Sequence, residues 1–409
     1  METKGRWQVA GALAVMLVSL IIGSPVMAAD PIKVGWVGPL SPPGGYADGT
    51  LMKQGAQMAV EEINAKGGVL GRPIELIIAD TRGMAEEGTA AAERLISKEK
   101  VVIICGEFHS SPFLAEMDVA HKAGIPIIGV DVWNLKITAS GYPEVFRVSP
   151  NQALIQTKYA DWMAAVGFKH VAVVYEMNEG GQSAIDVLKP ALDKHGIKYD
   201  LIGADQNATD FTAMLERLKA TKPAYDFIMT EYSLAAAYPM ISQSHQLRLA
   251  PSKTAGLANS GGPATTETFW QNVKGAGKYV VTEIVGLPKA ADNDVTKHFK
   301  TGFKKKYNQI PSPQAISNYD TMFVIADAIK RAGTTDGKAL IAALEKTDIV
   351  LGRGRYRFSM SHNPAWAWHQ FMEAPVALIQ YDKEGQGVDD APIIWPRDIA
   401  TTKSLYLKP

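Results

Sequence analysis

The sequence is poor in cysteine, in charge of one sign and in long apolar runs. A single cysteine, Cys105, stands in 409 residues, so no intramolecular disulfide can form. Its setting in Val101-Val102-Ile103-Ile104-Cys105 marks it as buried packing rather than a reactive thiol. Lys plus Arg number 42 and Asp plus Glu 42. A chain with no net charge lacks the cationic excess that sustained phosphate contact demands, which argues against a nucleic-acid partner. No His-Glu-x-x-His segment occurs, and His362 and His369 are too far apart to share one helical turn, so a zinc enzyme is unsupported. No Gly-x-Ser-x-Gly elbow occurs either. A secreted serine hydrolase built on Ser110 with His109 or His121 is the weakest reading, because neighbours such as His109 and Ser110 do not naturally present base to nucleophile. No metal and no cofactor are expected.

One apolar run stands out, from Val9 to Ile22, preceded by Lys4 and Arg6 and followed by Gly23-Ser24-Pro25 and Val26-Met27-Ala28-Ala29. At about 14 residues it is short for a bilayer span, which needs roughly 20. Small residues sit where signal peptidase would cut, so residues 1–29 read as a cleaved secretory signal peptide. No cysteine follows the run, which excludes a lipid anchor. Removing the segment takes away Lys4, Arg6 and Glu2, leaving an exported, nearly neutral protein whose expected location is the periplasm.

From Ile32 onward, short β-rich apolar runs alternate with amphipathic helical patterns, the signature of βαβ units and mostly parallel sheets. Strands are expected at Lys33–Val37, Ile74–Asp80, Val101–Gly106, Ile125–Val130, His170–Glu176, Leu201–Ala204, Asp226–Glu231, Lys253–Leu257 and Val376–Tyr381. Helices are expected between them, at Leu51–Ala65, Glu86–Lys98, Pro112–Ala123, Gln152–Val166, Ser183–His195, Phe211–Ala220 and Leu234–Gln246. The first helix repeats Met52, Ala56, Ala59, Val60 and Ile63 at three- and four-residue spacing and stops at Gly67-Gly68, a C-terminal cap and turn rather than a phosphate loop. Near Phe146–Pro150 the chain leaves a first run of βα units, and it begins a second at Gln152. The expected class is therefore α/β with two lobes. Tyr279–Leu287 and the turn Gly352-Arg353-Gly354 read as later crossings between lobes, with helices at Asn293–Tyr307, Gln314–Ala332 and Ala339–Leu344. These limits give lobe 1 as 30–148 plus 285–350, and lobe 2 as 149–284 plus 351–409.

The opening Ile32-Lys33-Val34-Gly35-Trp36-Val37-Gly38-Pro39-Leu40-Ser41 resembles the first strand and loop of the leucine/isoleucine/valine-binding family of periplasmic solute receptors. Gly55-Ala56 through Glu61-Glu62-Ile63-Asn64-Ala65-Lys66-Gly67-Gly68-Val69-Leu70-Gly71 resembles that family's first helix and exit turn. Asp80, Gly106 with Ser110-Ser111, Gly124-Ile125-Pro126, Tyr319-Asp320 and Ala332-Gly333 follow in family order. The resemblance runs from Ile32 to the C-terminus. It implies a type I periplasmic binding fold, two α/β lobes joined by three hinge crossovers that close on a ligand, and a receptor delivering a small solute to an ABC-type permease. A sensory domain serving a membrane signalling receptor shares fold and site and stays open, as does a receptor for small aromatic acids. A monomer is expected.

Ligands of open parallel sheets bind beyond the carboxyl ends of the strands. The strand exits offer Glu107, Phe108, Ser110 and Ser111; Asp131, Val132 and Trp133; Glu176 with Glu179; Glu231 and Tyr232; and Ala258 and Asn259. Tyr46 joins them from the first loop. Ser110 and Ser111 precede Pro112 at a helix start, where free N–H groups favour an anion, although either serine can equally cap its own helix. The resemblance gives Ser110 the α-carboxylate of an amino acid. Glu107, Asp131, Glu176 and Glu231 occupy strand ends and no Lys or Arg does, which points to a cationic or donor-rich ligand group. Phe108, Trp133, Tyr175 and Tyr232 interleave with these acids, as an apolar or cation–π pocket requires. The family's amino-acid receptors carry a glutamate where this chain has Ala258, a threonine where it has Trp133, and a tyrosine near Glu179-Gly180. Branched-chain amino acids are therefore not inherited as the ligand, and an amine or amide compound fits as well.

Overall fold

Seven residues of unbroken β propensity open the described chain, Ile32–Gly38 (β1), and six of them are buried because the strand has a neighbour on each edge and helices on both faces. The computed structural model describes residues 30–233, 235–266, 268–285 and 292–409. The signal peptide expected over 1–29 lies outside them.

The first sheet is parallel throughout. β2 (Ile74–Asp80), β1, β3 (Ile103–Gly106), β4 (Ile127–Gly129) and β5 (Val145–Arg147) lie side by side in that order. One face is covered by α1 (Tyr46–Ala65) and α11 (Pro313–Ala332), which pack together where Gly55 lets the backbone of Ala315 approach; a Cβ there would sit 2.1 Å from the Ala315 carbonyl oxygen. The other face is covered by α2 (Ala85–Ser97) and α3 (Ser110–Ala123), which contribute Ala91, Leu95, Phe113, Met117 and Ala120 to a second core layer. Cys105 is buried as expected, and burial pushes its thiol up to about 12.

The second sheet runs β7 (Lys198–Ala204), β6 (His170–Glu176), β8 (Phe227–Glu231), β9 (Gly256–Ser260) and β10 (Val280–Val285) in parallel. It is completed by antiparallel β13 (Val376–Gln380) and β14 (Ile393–Trp395). Helices α5 (Gln152–Val166) and α6 (Glu179–Lys194) cover one face, while α7 (Thr212–Ala220) and α8 (Ala237–Gln246) cover the other. The fold is thus the expected two-lobed α/β class, each lobe a mostly parallel sheet flanked by helices.

Three local expectations shift. Strand β9 lies about three residues later than expected, so Ala258 and Asn259 are inside it and Gly261 follows it. Strand β10 turns most of the expected crossing at Tyr279–Leu287 into sheet; Tyr279 is the turn before it, and 286–287 fall outside the described residues. Gly352-Arg353-Gly354 is the hairpin turn between β11 (Ile349–Leu351) and β12 (Gly354–Tyr356), not a crossing, and Tyr356, Phe358 and Phe371 pack in the core of the first sheet.

A buried arginine in β5 ties the 134–138 segment to Gln370. Arg147 Nε donates to Gln370 Oε1 (2.6 Å), Nη1 to the Asn134 carbonyl (2.5 Å) and Nη2 to Thr138 Oγ1 (2.9 Å). Gln370 Nε2 in turn donates to the Ser149 carbonyl (2.7 Å). Burial lowers the guanidinium only to about 9, so it remains a cation at neutral pH.

Candidate functional site

The carboxyl ends of both sheets face one cleft of about 860 Å³, open solvent at its mouth included. Of the expected residues, Phe108, Ser110, Ser111, Asp131, Trp133, Glu176, Glu231 and Tyr232 line it, and Tyr46, Glu107, Val132 and Glu179 do not.

Each of those four has a different task. Tyr46 opens α1 and is 54% exposed. Glu107 adopts a φ of +66°, and its Oε1 accepts from its own turn, from Phe108 N (2.9 Å) and His109 N (3.0 Å). It lies beside the equally buried Glu116, whose carboxyl is held well above the usual range by burial and then by Glu107. Val132 packs with Phe113 and Ile137 in the core. Glu179 bridges the lobes: its carboxylate accepts from Lys136 Nζ (2.8 Å) and its carbonyl from Asn134 Nδ2 (2.9 Å), while Leu135 N donates to Ser183 Oγ (3.2 Å). Tyr175 sits within β6, partly buried among the second-lobe core. Tyr232 borders the cleft, but its ring is buried edge-on to Phe211 and its hydroxyl donates to the Asp205 carbonyl (3.4 Å).

Ser110 is not the cap of its helix, since α3 has no side-chain cap. Its Oγ instead accepts from Trp133 N (3.3 Å) and Asn134 N (3.2 Å). A hydroxyl with both lone pairs engaged keeps one function, donation of its own hydrogen. Ser110 therefore presents a donor, next to the free N–H groups of a 14-residue helix, and an acceptor or anion suits that corner.

Asp131, 3% exposed, is held by Trp133, whose Nε1 donates to Oδ1 (3.0 Å). Its Oδ2 is buried without a hydrogen-bond partner. Burial raises this carboxyl to about 6, against the Trp133 hydrogen bond, the Arg353 guanidinium and the neighbouring Gln314 amide, which favour the charged form. The second-lobe acids are already served. Glu176 accepts from Ser233 Oγ (2.7 Å) and Ser233 N (3.3 Å), and Glu231 accepts from Gln156 Nε2 (2.8 Å). Burial raises both carboxyls, and Glu283 adds to the effect at Glu231.

The cleft also contains Gln152, Asn178, Gln206, Asn207, Ser233 and Gly261, with Arg82 and His109 on the first-lobe side. The strand-exit rule, applied to β7, reaches Gln206 and Asn207, and applied to β9 in its true register it reaches Gly261. Gln152 follows Asn151, whose side chain caps α5 by accepting from Leu154 N. His109 Nε2 lies 3.1 Å from the Gly44 carbonyl and so is the protonated nitrogen, and burial lowers the ring to about 4. The imidazole is thus engaged with backbone, away from the role of a base for Ser110. Among the described residues, no group of three His, Cys, Asp or Glu could hold a metal ion, and no helix is long and apolar enough to cross a membrane.

Two α/β lobes meeting at a cleft of hydrogen-bonding groups and aromatic surface define a solute-binding receptor. A family model described as periplasmic binding protein matches residues 31–386, and the chain belongs to that family, whose members are periplasmic binding proteins. Among curated relatives, the leucine-, isoleucine-, valine-, threonine- and alanine-binding protein of Pseudomonas aeruginosa is 28% identical over 347 residues, covering 81% of this chain and 87% of that one. Among solved structures, the branched-chain amino acid transporter substrate-binding protein of Streptococcus pneumoniae, in complex with isoleucine, aligns with a TM-score of 0.78 at 22% identity, over 90% of this chain and 100% of that one. A solute-binding protein of an ABC transporter from Rhodopseudomonas palustris, in complex with 3,4-dihydroxybenzoic acid, gives a TM-score of 0.76 at 22% identity, over 88% and 94%.

Proposed function

We propose that this chain is exported by its N-terminal segment, captures one small solute in the cleft as a monomer, and delivers it to an ABC permease without chemically altering it. The solute carries an anionic or acceptor end for Ser110 and Ser111 and a cationic or donor group for Asp131. The observation that carries this reading is the free, buried Oδ2 of Asp131 beside the indole of Trp133, because an unpartnered buried acceptor calls for a donor from the ligand. An amino acid or a related amine or amide meets both ends. A small aromatic acid is the second reading, favoured by Phe108 and Trp133 in the cleft and by the dihydroxybenzoate bound to a neighbour of the same fold. Lobe limits at 30–148 plus 292–374, and 149–285 plus 375–409, suit the packing of Tyr356, Phe358 and Phe371 better than a break at 351.

A thermal-shift panel of amino acids, amines, amides and aromatic acids tests the reading, since a ligand at 100 times Kd adds about 2.7 kcal/mol of stability. Small-angle scattering with the best binder should show a smaller radius. Turnover of esters or amides, or a stable dimer, counts against the proposal. Co-purification with a permease rather than a kinase or chemoreceptor separates transport from sensing.

A further inference from the structure

Gln152 sits at the cleft floor, 4% exposed, with its backbone N donating to the Trp133 carbonyl (2.9 Å). Its side-chain amide has one end that accepts and one that donates, and the network behind it decides which end faces the cleft. Gln156 Nε2 has two hydrogens and two acceptors, Glu231 Oε1 at 2.8 Å and Gln152 Oε1 at 2.9 Å. Glu231 Oε1 accepts from Gln156 Nε2, which turns the Gln156 NH2 toward the carboxyl. The second hydrogen of that NH2 then takes the Gln152 carbonyl. What remains for the cleft is Gln152 Nε2, from which nothing among the described residues accepts.

We infer that Gln152 is a specificity-determining donor and that Glu231, acting through Gln156, is the positioning residue that fixes its polarity. The assignment rests on the receptor reading above and deepens it. The solute carries, besides the acceptor end held at Ser110, a second acceptor oxygen such as a carboxamide, hydroxyl or carboxylate oxygen. A purely aliphatic side chain leaves Gln152 Nε2 desolvated and unpaired, and such a mismatch is how a polar site rejects an isostere that lacks the matching group. Glu231, a strand-end acid, thus serves here to orient an amide rather than to neutralise a cation.

Isothermal titration of L-leucine, L-threonine and L-glutamine against the parent, Gln152→Leu and Glu231→Gln tests this, with near-UV circular dichroism as the check that each variant is folded. The parent should bind one of the oxygen-bearing probes at least about tenfold more tightly than leucine. Gln152→Leu should remove that preference, weakening the oxygen-bearing probe while leucine, no longer facing an unpaired amide, binds more tightly. Glu231→Gln, which can place either end of its amide toward Gln156 and so lets that amide turn, should narrow the preference by weakening the oxygen-bearing probe more than leucine; a purely structural role would weaken all probes alike. Preference for leucine in the parent, or equal losses on every probe in Gln152→Leu, overturns the inference and leaves the receptor reading standing. No binding of any probe at millimolar concentration, with none in the wider solute panel, overturns both.

Discussion

The two walls of the cleft carry acids at equivalent positions just after or at the ends of their strands, yet their oxygens are engaged to different extents. On the first-lobe side, Asp131 lines the cleft with Oδ2 unpaired, while Glu107 lies outside the lining, its Oε1 held by the N–H groups of its own turn and its Oε2 buried without a partner. On the second-lobe side, Glu176 is taken up by Ser233 and Glu231 by Gln156. The difference teaches that a carboxylate at a strand end is a ligand group only where it lines the cleft and the local backbone and neighbouring side chains leave it an unused lone pair. Charge at a position says less than the hydrogen bonds already made there.

The strongest test of this contrast is Trp133. Its indole holds Asp131 in place and forms cleft surface, and it is 9% exposed. Trp133→Ala should weaken solute binding by about 2 kcal/mol or more, roughly thirtyfold. Trp133→Phe keeps most of the packing and loses only the N–H donor, so its loss should be smaller. Calorimetry in which both variants bind as the parent does would place the pocket elsewhere.

Ser110 comes next. Ser110→Ala removes a donor to the ligand and the acceptor of two backbone N–H groups, and should cost about 1 to 2 kcal/mol of affinity, as for a hydrogen bond to a charged group. Ser110→Thr keeps the hydroxyl and should retain most of the affinity. Unchanged affinity in Ser110→Ala, with the fold intact, would leave Ser110 as a strut for the 133–134 loop alone.

Titration gives a broader comparison, because the buried acids of both lobes move together. Burial raises Asp48 and Glu283 to about 7 and Asp131 and Asp320 to about 6. Their folded values lie above their unfolded ones, so the folded chain holds protons that the unfolded chain releases, and stability is lost as pH rises through 6 to 7. His109 opposes this only below its unfolded value near 6.5, because its folded value is lowered to about 4. The ligand-free protein should therefore melt higher at pH 6 than at pH 8, by a margin on the order of 1 kcal/mol or more. Equal melting temperatures would mean that the buried acids relax into water. A cationic ligand should show the reverse slope, with affinity falling below about pH 6 as Asp131 takes up its proton, and Asp131→Asn should flatten that slope.

Much of this architecture is legible in the residues. The alternation of apolar runs and amphipathic segments gives two α/β lobes, and α5 falls where the periodicity puts it, at Gln152–Val166. The strand-exit rule brings eight of the twelve expected site residues to the cleft. What escapes is register and polarity. Strand β5 is three residues long and holds a buried arginine, so it offers no β pattern to read. The shift of β9 arises because its Ala258-Asn259-Ser260 are small or polar and are buried by neighbours on both edges rather than by their own hydrophobicity. Gln152 goes unread because its importance depends on Gln156 and Glu231, the latter on a distant strand.

Glu179 provides the mildest test, and it sharpens the comparison at the cleft's edge rather than its interior. With Lys136 it makes an ion pair between the lobes, their side chains 48% and 68% exposed. An exposed pair of this kind contributes about 0.2 to 1 kcal/mol and is screened by salt. The pair lies outside the cleft lining, so Lys136→Ala should leave the order of ligand preference untouched. The pair does hold α6 against the loop that carries Trp133, so its loss should speed ligand release by at most about fivefold, with little change in association. In high salt, parent and variant should converge. Stopped-flow release rates measured at low and high ionic strength decide the point: a change in ligand preference in Lys136→Ala would return Glu179 to the binding site, whereas a salt-dependent change in release alone assigns it to the clasp between the lobes.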